Sequence, residues 1–398
     1  MTFLRAAGAN KKSQTERYPE IMTEATVLQH KERNYGVDLL RIVSMVMVSA
    51  IHVFGHSGIL IEDKITVRGQ LAWFFYIFCF CAVNCYALIS GYVGITSKFK
   101  ISNLVYLWLQ VVFLSLLTTL VTRFVMPGTV GLKDFLVAVL PVTFSKYWYF
   151  TAYFALFLFM PFLNFLLNRF SNRGMGLLLL AITVLFTGLS TIREDVFNLD
   201  NGYSVVWLVL LYLIGGYIKK NNLLGKVQTW KLRVALIGIV AFTWLSKLVI
   251  SLVTLKVFDK IKFSGLLIGY TSPTILAIAV LFLCIFSRKS FSKKPLFISF
   301  VAPLTFGIYI TQMDSPFIWK TIMDKTEIFT ELNPMISLLA VLLATVAVFL
   351  VCGLADLCRL GLFTLLRVKK HLIRAENGIR NKMSKLFEPK EENAKDKR

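Results

Sequence analysis

Ten apolar runs follow one another along this chain, most of them close to the 20 or so residues a helix needs to cross a bilayer. They lie near residues 37–58, 70–95, 101–125, 146–168, 175–192, 203–219, 231–255, 268–287, 296–313 and 334–366. In hydrocarbon each backbone N–H and C=O must be satisfied inside the segment, which makes these runs helices. The fold class expected is therefore all-α, a polytopic membrane protein of about ten transmembrane helices. The 56% hydrophobic content agrees, because a soluble domain is nearer about 45–50% even with glycine counted. The final run is long for one crossing, so it is expected to tilt or to leave the bilayer at its basic end, "LCRLGLFTLLRVKK".

The charge of +22 points to topology. Lys and Arg stand in short clusters between the apolar runs, as the positive-inside rule requires of cytoplasmic segments, and they form no single soluble patch that would suit nucleic acid. Placing the N-terminus inside puts Lys98 and Lys100, Arg169 and Arg173, Lys219 to Arg233, Arg288 to Lys294, and the tail from Arg367 on the inner side. The outer segments are mixed or acidic except the basic "KVFDKIKFSG" at 256–265. Both termini are thus expected in the cytoplasm. Residues 1–36 read as a polar cytosolic segment without a signal-peptide pattern, 37–366 as the membrane domain, and 367–398 as a charged cytosolic tail on the anionic inner leaflet. The six cysteines all fall in apolar runs, with no disulfide framework and no metal-ligand spacing.

Within the first run, "DLLRIVSMVMVSAIH" carries a carboxylate, a guanidinium and an imidazole. Ionisable groups at membrane depth are costly and mark functional sites. The eleven steps from Arg41 to His52 turn the helix roughly three times and rise about 16 Å. Asp38, Arg41, Met45, Ser49 and His52 therefore share one stripe. His52 is the histidine deep in an apolar run, and imidazole exchanges protons near neutral pH. Arg41 suits phosphate or a carbonyl, and Asp38 either holds the guanidinium or caps the helix start. Elsewhere, buried Asn84 in "CAVNCYALISGY" suits a helix-to-helix bond, and Asp356 can pair with Arg359 at i+3. Lys247 has no evident partner. The aromatics of "SKYWYFTAYF" suit an interfacial belt.

The order of these motifs resembles the acyltransferase type 3 family of bacterial integral-membrane proteins, which O-acylate surface glycans. The resemblance rests on Arg41 and His52 preceded by Asp38, on "AVNCYALISGY", on "YWYFTAYFALFLFMPFLN", on "GYSVVWLVLLYLIGGYIKK" and on "LTFGIYITQMD". It implies a multi-pass bacterial cell-membrane enzyme that moves acetyl from cytosolic acetyl-CoA, as co-substrate and without a metal, to a sugar hydroxyl of a surface or lipid-linked polysaccharide. His52, Arg41 and Asp38 would be the catalytic group, with Arg41, Lys98 and Lys100 meeting the donor. Asn84, Ser90, Tyr92, Trp148, Tyr149, Tyr153, Tyr309 and Gln312 would support the substrates. The chain departs from the family pattern at Gln312, where many relatives have histidine, and at Lys98 and Lys100, which replace a pair of arginines. Some relatives carry an extracellular hydrolase-like domain; without one, the chain would present acetyl to its acceptor directly or through a separate protein. The rival readings are a flippase for a lipid-linked oligosaccharide, disfavoured by the lack of two related halves, and a glycan polymerase, disfavoured by short outer loops.

Overall fold

The computed structural model describes residues 33–61, 64–193, 196–313 and 315–387. The N-terminal polar segment up to residue 32 and the tail beyond 387 lie outside the described residues. The described part is built of helices: α1 (Tyr35–His56), α2 (Val67–Phe80), α3 (Ala82–Gly94), α4 (Ile101–Val125), α5 (Leu132–Val139), α6 (Trp148–Arg169), α7 (Asn172–Ile192), α8 (Val205–Asn221), α9 (Thr229–Phe258) and α10 (Pro273–Ser287). They are followed by α11 (Leu296–Val301), α12 (Thr305–Met313), the short α13 (Pro316–Ile318) with irregular turns to Thr330, α14 (Pro334–Leu365) and α15 (Val368–Phe387).

Eight segments among the described residues are helical, long and apolar enough to cross a membrane: α1, α2 with α3, α4, α6, α7, α9, α11 with α12, and α14. Helix α10 is apolar but only 15 residues long, and α8 has 17 and ends on two lysines. Two of the apolar runs are broken helices. Pro303 interrupts the run at 296–313 with a tight turn, since it has no N–H to give. The run at 70–95 breaks at Cys81, where neither Pro nor Gly marks the site.

Helix α1 is the centre of the bundle. It packs against α2, α3, α10, α12 and α14, and Val37, Leu40, Val53 and Phe54 on it are buried. Helices α3 and α8 pack backbone against backbone. A Cβ on Gly91 would overlap the Tyr212 carbonyl, and one on Gly215 would overlap that of Leu88. Small residues allow such approach where lipid gives no hydrophobic drive between helices.

Three polar joints fix the frame. Asp356 accepts from Arg359 through both carboxylate oxygens, at 2.8 and 2.7 Å, and also from Gln110 on α4 at 3.2 Å. Gly307 on α12 packs directly on that carboxylate, with no room for a side chain. Arg68 on α2 donates to the carbonyls of Thr330 and Leu332 and ties the start of α2 to the start of α14. Lys247 on α9 does have a partner, contrary to the sequence reading: its ammonium lies 4.1 Å from the centroid of the Trp73 ring. The sequence gives no hint of that pairing, because it joins helices 174 positions apart (73 to 247).

Candidate active site

The register of α1 brings its polar stripe to one side. Arg41 Nη1 donates to Asp38 Oδ1 at 2.6 Å, with the guanidinium side chain 31% exposed and the carboxylate 4%. Asp38 lies inside the helix that begins at Tyr35, so its carboxylate meets the guanidinium and does not occupy the position before the helix start. The Tyr86 hydroxyl on α3 donates to the Arg41 carbonyl at 2.7 Å and pins this turn of α1.

One turn further along, Gln312 from α12 spans the stripe. Its Oε1 accepts from Ser49 Oγ at 2.9 Å, and its Nε2 lies 3.4 Å from Met45 Sδ. Its carbonyl accepts from Trp319 Nε1 at 3.1 Å. Trp319 in turn sits 6.2 Å from the His52 ring and 4.1 Å from the His56 ring, centroid to centroid. Two elements distant in sequence thus hold the turn of α1 that carries the imidazole. His52 Nδ1 is buried and has no hydrogen-bond partner among the described residues.

His52 lines a cavity of about 280 Å³. Its other walls are largely aromatic: Tyr76, Phe80, Tyr86, Trp148, Tyr149, Tyr203, Tyr270, Phe306 and Tyr309. These rings hold one another. Tyr149 packs edge-on to Tyr309 at 6.0 Å and stacks with Tyr153 at 6.1 Å, and the Tyr309 hydroxyl accepts from the Tyr149 N–H at 3.3 Å. Trp148 meets Tyr203 at 4.4 Å, and Phe80 stacks on Tyr270 at 4.6 Å. Phe80, Tyr203 and Tyr270 also wall a second, more polar cavity of about 750 Å³ that includes Asn201, Ser264 and Ser272. An imidazole therefore faces a chamber of flat apolar rings edged by phenol hydroxyls, a lining suited to a sugar ring or an acyl group, with a polar chamber beyond it.

The residues singled out in the sequence divide on this geometry. His52, Trp148, Tyr149 and Tyr309 line the cavity, and Arg41, Asp38, Tyr153 and Gln312 stand behind or beside it. Asn84 does not line it. Its Nδ2 donates to the Tyr270 carbonyl at 2.8 Å, and its Oδ1 accepts from Trp207 Nε1 at 3.1 Å, so it positions the Tyr270 backbone. Ser90 donates to the Tyr86 carbonyl one turn back at 2.8 Å. Tyr92 belongs to a separate cavity with Lys219 and Arg288, its ring 4.8 Å from the Lys219 ammonium. Lys98 and Lys100 are exposed on the connector between α3 and α4.

Sequence reasoning missed Tyr86, Tyr203, Tyr270 and Trp319. A signal existed for two of them: "NGYS" and "GYTS" each place a Gly-Tyr pair and a hydroxyl residue just before a helix, α8 and α10.

A family model described as an acyltransferase domain matches residues 34–355 of the chain. No curated protein and no solved structure matches it.

Proposed function

Because the chain belongs to the acyltransferase type 3 family, we propose that this membrane acyltransferase moves an acetyl group from cytosolic acetyl-CoA to a sugar hydroxyl of a cell-surface or lipid-linked polysaccharide. On this reading the chain crosses a bacterial cell membrane ten times, α8 and α10 completing the count, and both termini are cytosolic. The basic connectors on the side where α1 begins support that orientation.

One observation carries the proposal: Arg41 and His52 lie on the same face of α1, and His52 opens on the aromatic cavity. The partly exposed guanidinium of Arg41, oriented by Asp38, suits the phosphates or pantetheine carbonyls of the donor. His52 lies about 16 Å further along the helix, roughly the reach of a pantetheine arm. There it takes the proton of the acceptor hydroxyl as the oxygen attacks the thioester carbonyl. The new C–O ester bond forms, the C–S bond breaks, and the proton passes from the imidazole to the departing CoA sulfur. Trp148, Tyr149 and Tyr309 hold the sugar ring against their faces.

The test is the purified chain in liposomes, supplied with acetyl-CoA on one side and glycan on the other. Loss of thioester matched by gain of O-acetyl ester is the expected result. A flippase or a polymerase consumes no acetyl-CoA, so an unchanged thioester pool would reject the proposal.

A further inference from the structure

A further cavity, of about 500 Å³, lies where α14 ends and α15 begins, walled by Tyr106 and Gln110 of α4 and by Pro303. It is lined by four cations, Arg359, Arg367, Lys369 and Lys370. Asp356 neutralises Arg359. Arg367, Lys369 and Lys370 form no ion pair with any described residue, which leaves an excess of three positive charges around one chamber.

The cavity is also amphipathic. Leu360 and Phe363 form an apolar wall beside the cations. Arg367 takes a left-handed backbone, φ 50°, and turns the chain from the spanning helix into α15. Helix α15 packs along α4, where Glu376 accepts from the Ile101 and Ser102 N–H groups and fixes its height. The cationic rim is thereby held at the C-terminal end of α14, a helix long and apolar enough to cross a membrane.

We infer that this cavity binds the phosphate headgroup of an anionic membrane phospholipid. The apolar wall of Leu360 and Phe363, at the end of a helix long and apolar enough to cross a membrane, favours a lipid over a free nucleotide. Basic pockets between helices at such a boundary hold anionic headgroups by this combination of charge and shape. The site is distinct from the His52 cavity, and the inference does not depend on the acyl-transfer reading.

The test uses the full chain in mild detergent, with phosphatidylglycerol, phosphatidylcholine or acetyl-CoA added, and native mass spectrometry to count what stays bound. Phosphatidylglycerol should be retained and phosphatidylcholine lost. The Lys369→Gln/Lys370→Gln variant should weaken phosphatidylglycerol retention by at least about tenfold, the loss of a charge-assisted hydrogen bond to the phosphate. A control, Arg374→Gln/Lys382→Gln, removes the same charge from α15 outside the cavity and should change retention little. Equal losses in the two variants, or equal retention of both lipids, would overturn the inference in favour of diffuse attraction. Weakened acetyl-CoA binding with unchanged lipid retention in the first variant would overturn it by assigning the cavity to the donor.

Discussion

Asp356→Asn should be among the most destabilising single changes in this protein. The carboxylate is fully buried and meets three donors from two helices, Arg359 Nε and Nη2 on α14 and Gln110 Nε2 on α4. Removing its charge leaves the guanidinium, 2% exposed, without a counter-ion. Breaking a buried pair in this way costs about 3–5 kcal/mol. The reverse change is milder. In Arg359→Leu the stranded carboxyl can take up a proton and become neutral, whereas a guanidinium cannot, so the cost is about 1–3 kcal/mol, the penalty for an unmade buried hydrogen bond. Replacing both residues with apolar ones of similar volume, Asp356→Leu with Arg359→Met, should return stability to within about 2 kcal/mol of the parent, because neither charge is then buried. The assay is reversible unfolding by SDS in mixed micelles, read by tryptophan fluorescence for the two singles and the double. A smaller cost for Asp356→Asn than for Arg359→Leu, or a double variant that loses the sum of the singles, would refute this ordering.

Three further outcomes follow from the same contacts. Asn84→Leu leaves Trp207 Nε1 and the Tyr270 carbonyl without their partner, and should cost about 1–3 kcal/mol in the same unfolding assay while lowering transfer through displacement of Tyr270. Arg41→Lys replaces a planar donor by a point charge and should raise the KM for acetyl-CoA by roughly tenfold with a smaller change in kcat, the loss of one charge-assisted bond; an unchanged KM removes Arg41 from donor binding. The Glu376 carboxyl lies outside the spanning segments and is held below its usual pKa, first by its hydrogen bond with Ser102. Its contribution is full above the ordinary carboxylate range and is lost as pH falls through that range to the lowered folded value. The protection factors of the α15 amides, taken relative to the intrinsic exchange rate at each pH, should accordingly fall on acidification across that window, and Glu376→Gln should abolish that fall.

The helix register of α1 was legible because ionisable groups stand out in an apolar run, and 3.6-residue periodicity alone puts Asp38, Arg41, Ser49 and His52 together. The Asp356–Arg359 pair was legible for the same reason, being local at i+3. Neither helix break is among the expectations from sequence: 296–313 reads there as one run although the missing N–H of Pro303 marks its break, and the break at Cys81 carries no such mark. The cavity walls were less accessible. Tyr203 and Tyr270 come from turns that reach the site only through tertiary packing, one of them through a bond from Asn84 that is 186 residues away in sequence. Gln312 stood out as a departure from a family pattern, but its grip on Ser49 and Met45 depends on how α12 lies against α1. Tyr92 illustrates the converse: it lies on the same short helix as Tyr86 yet faces a different cavity, because a helix has more than one side.

The proposed acyl transfer turns on His52, and the most direct measurement is O-acetyl transfer by the reconstituted His52→Ala chain, at a protein level and unfolding midpoint matched to the parent. General acid-base catalysis contributes about 10²–10⁴-fold, so transfer should fall by at least about a hundredfold while acetyl-CoA still binds. Transfer within a few-fold of the parent would contradict the assignment of His52 as the proton-transfer group.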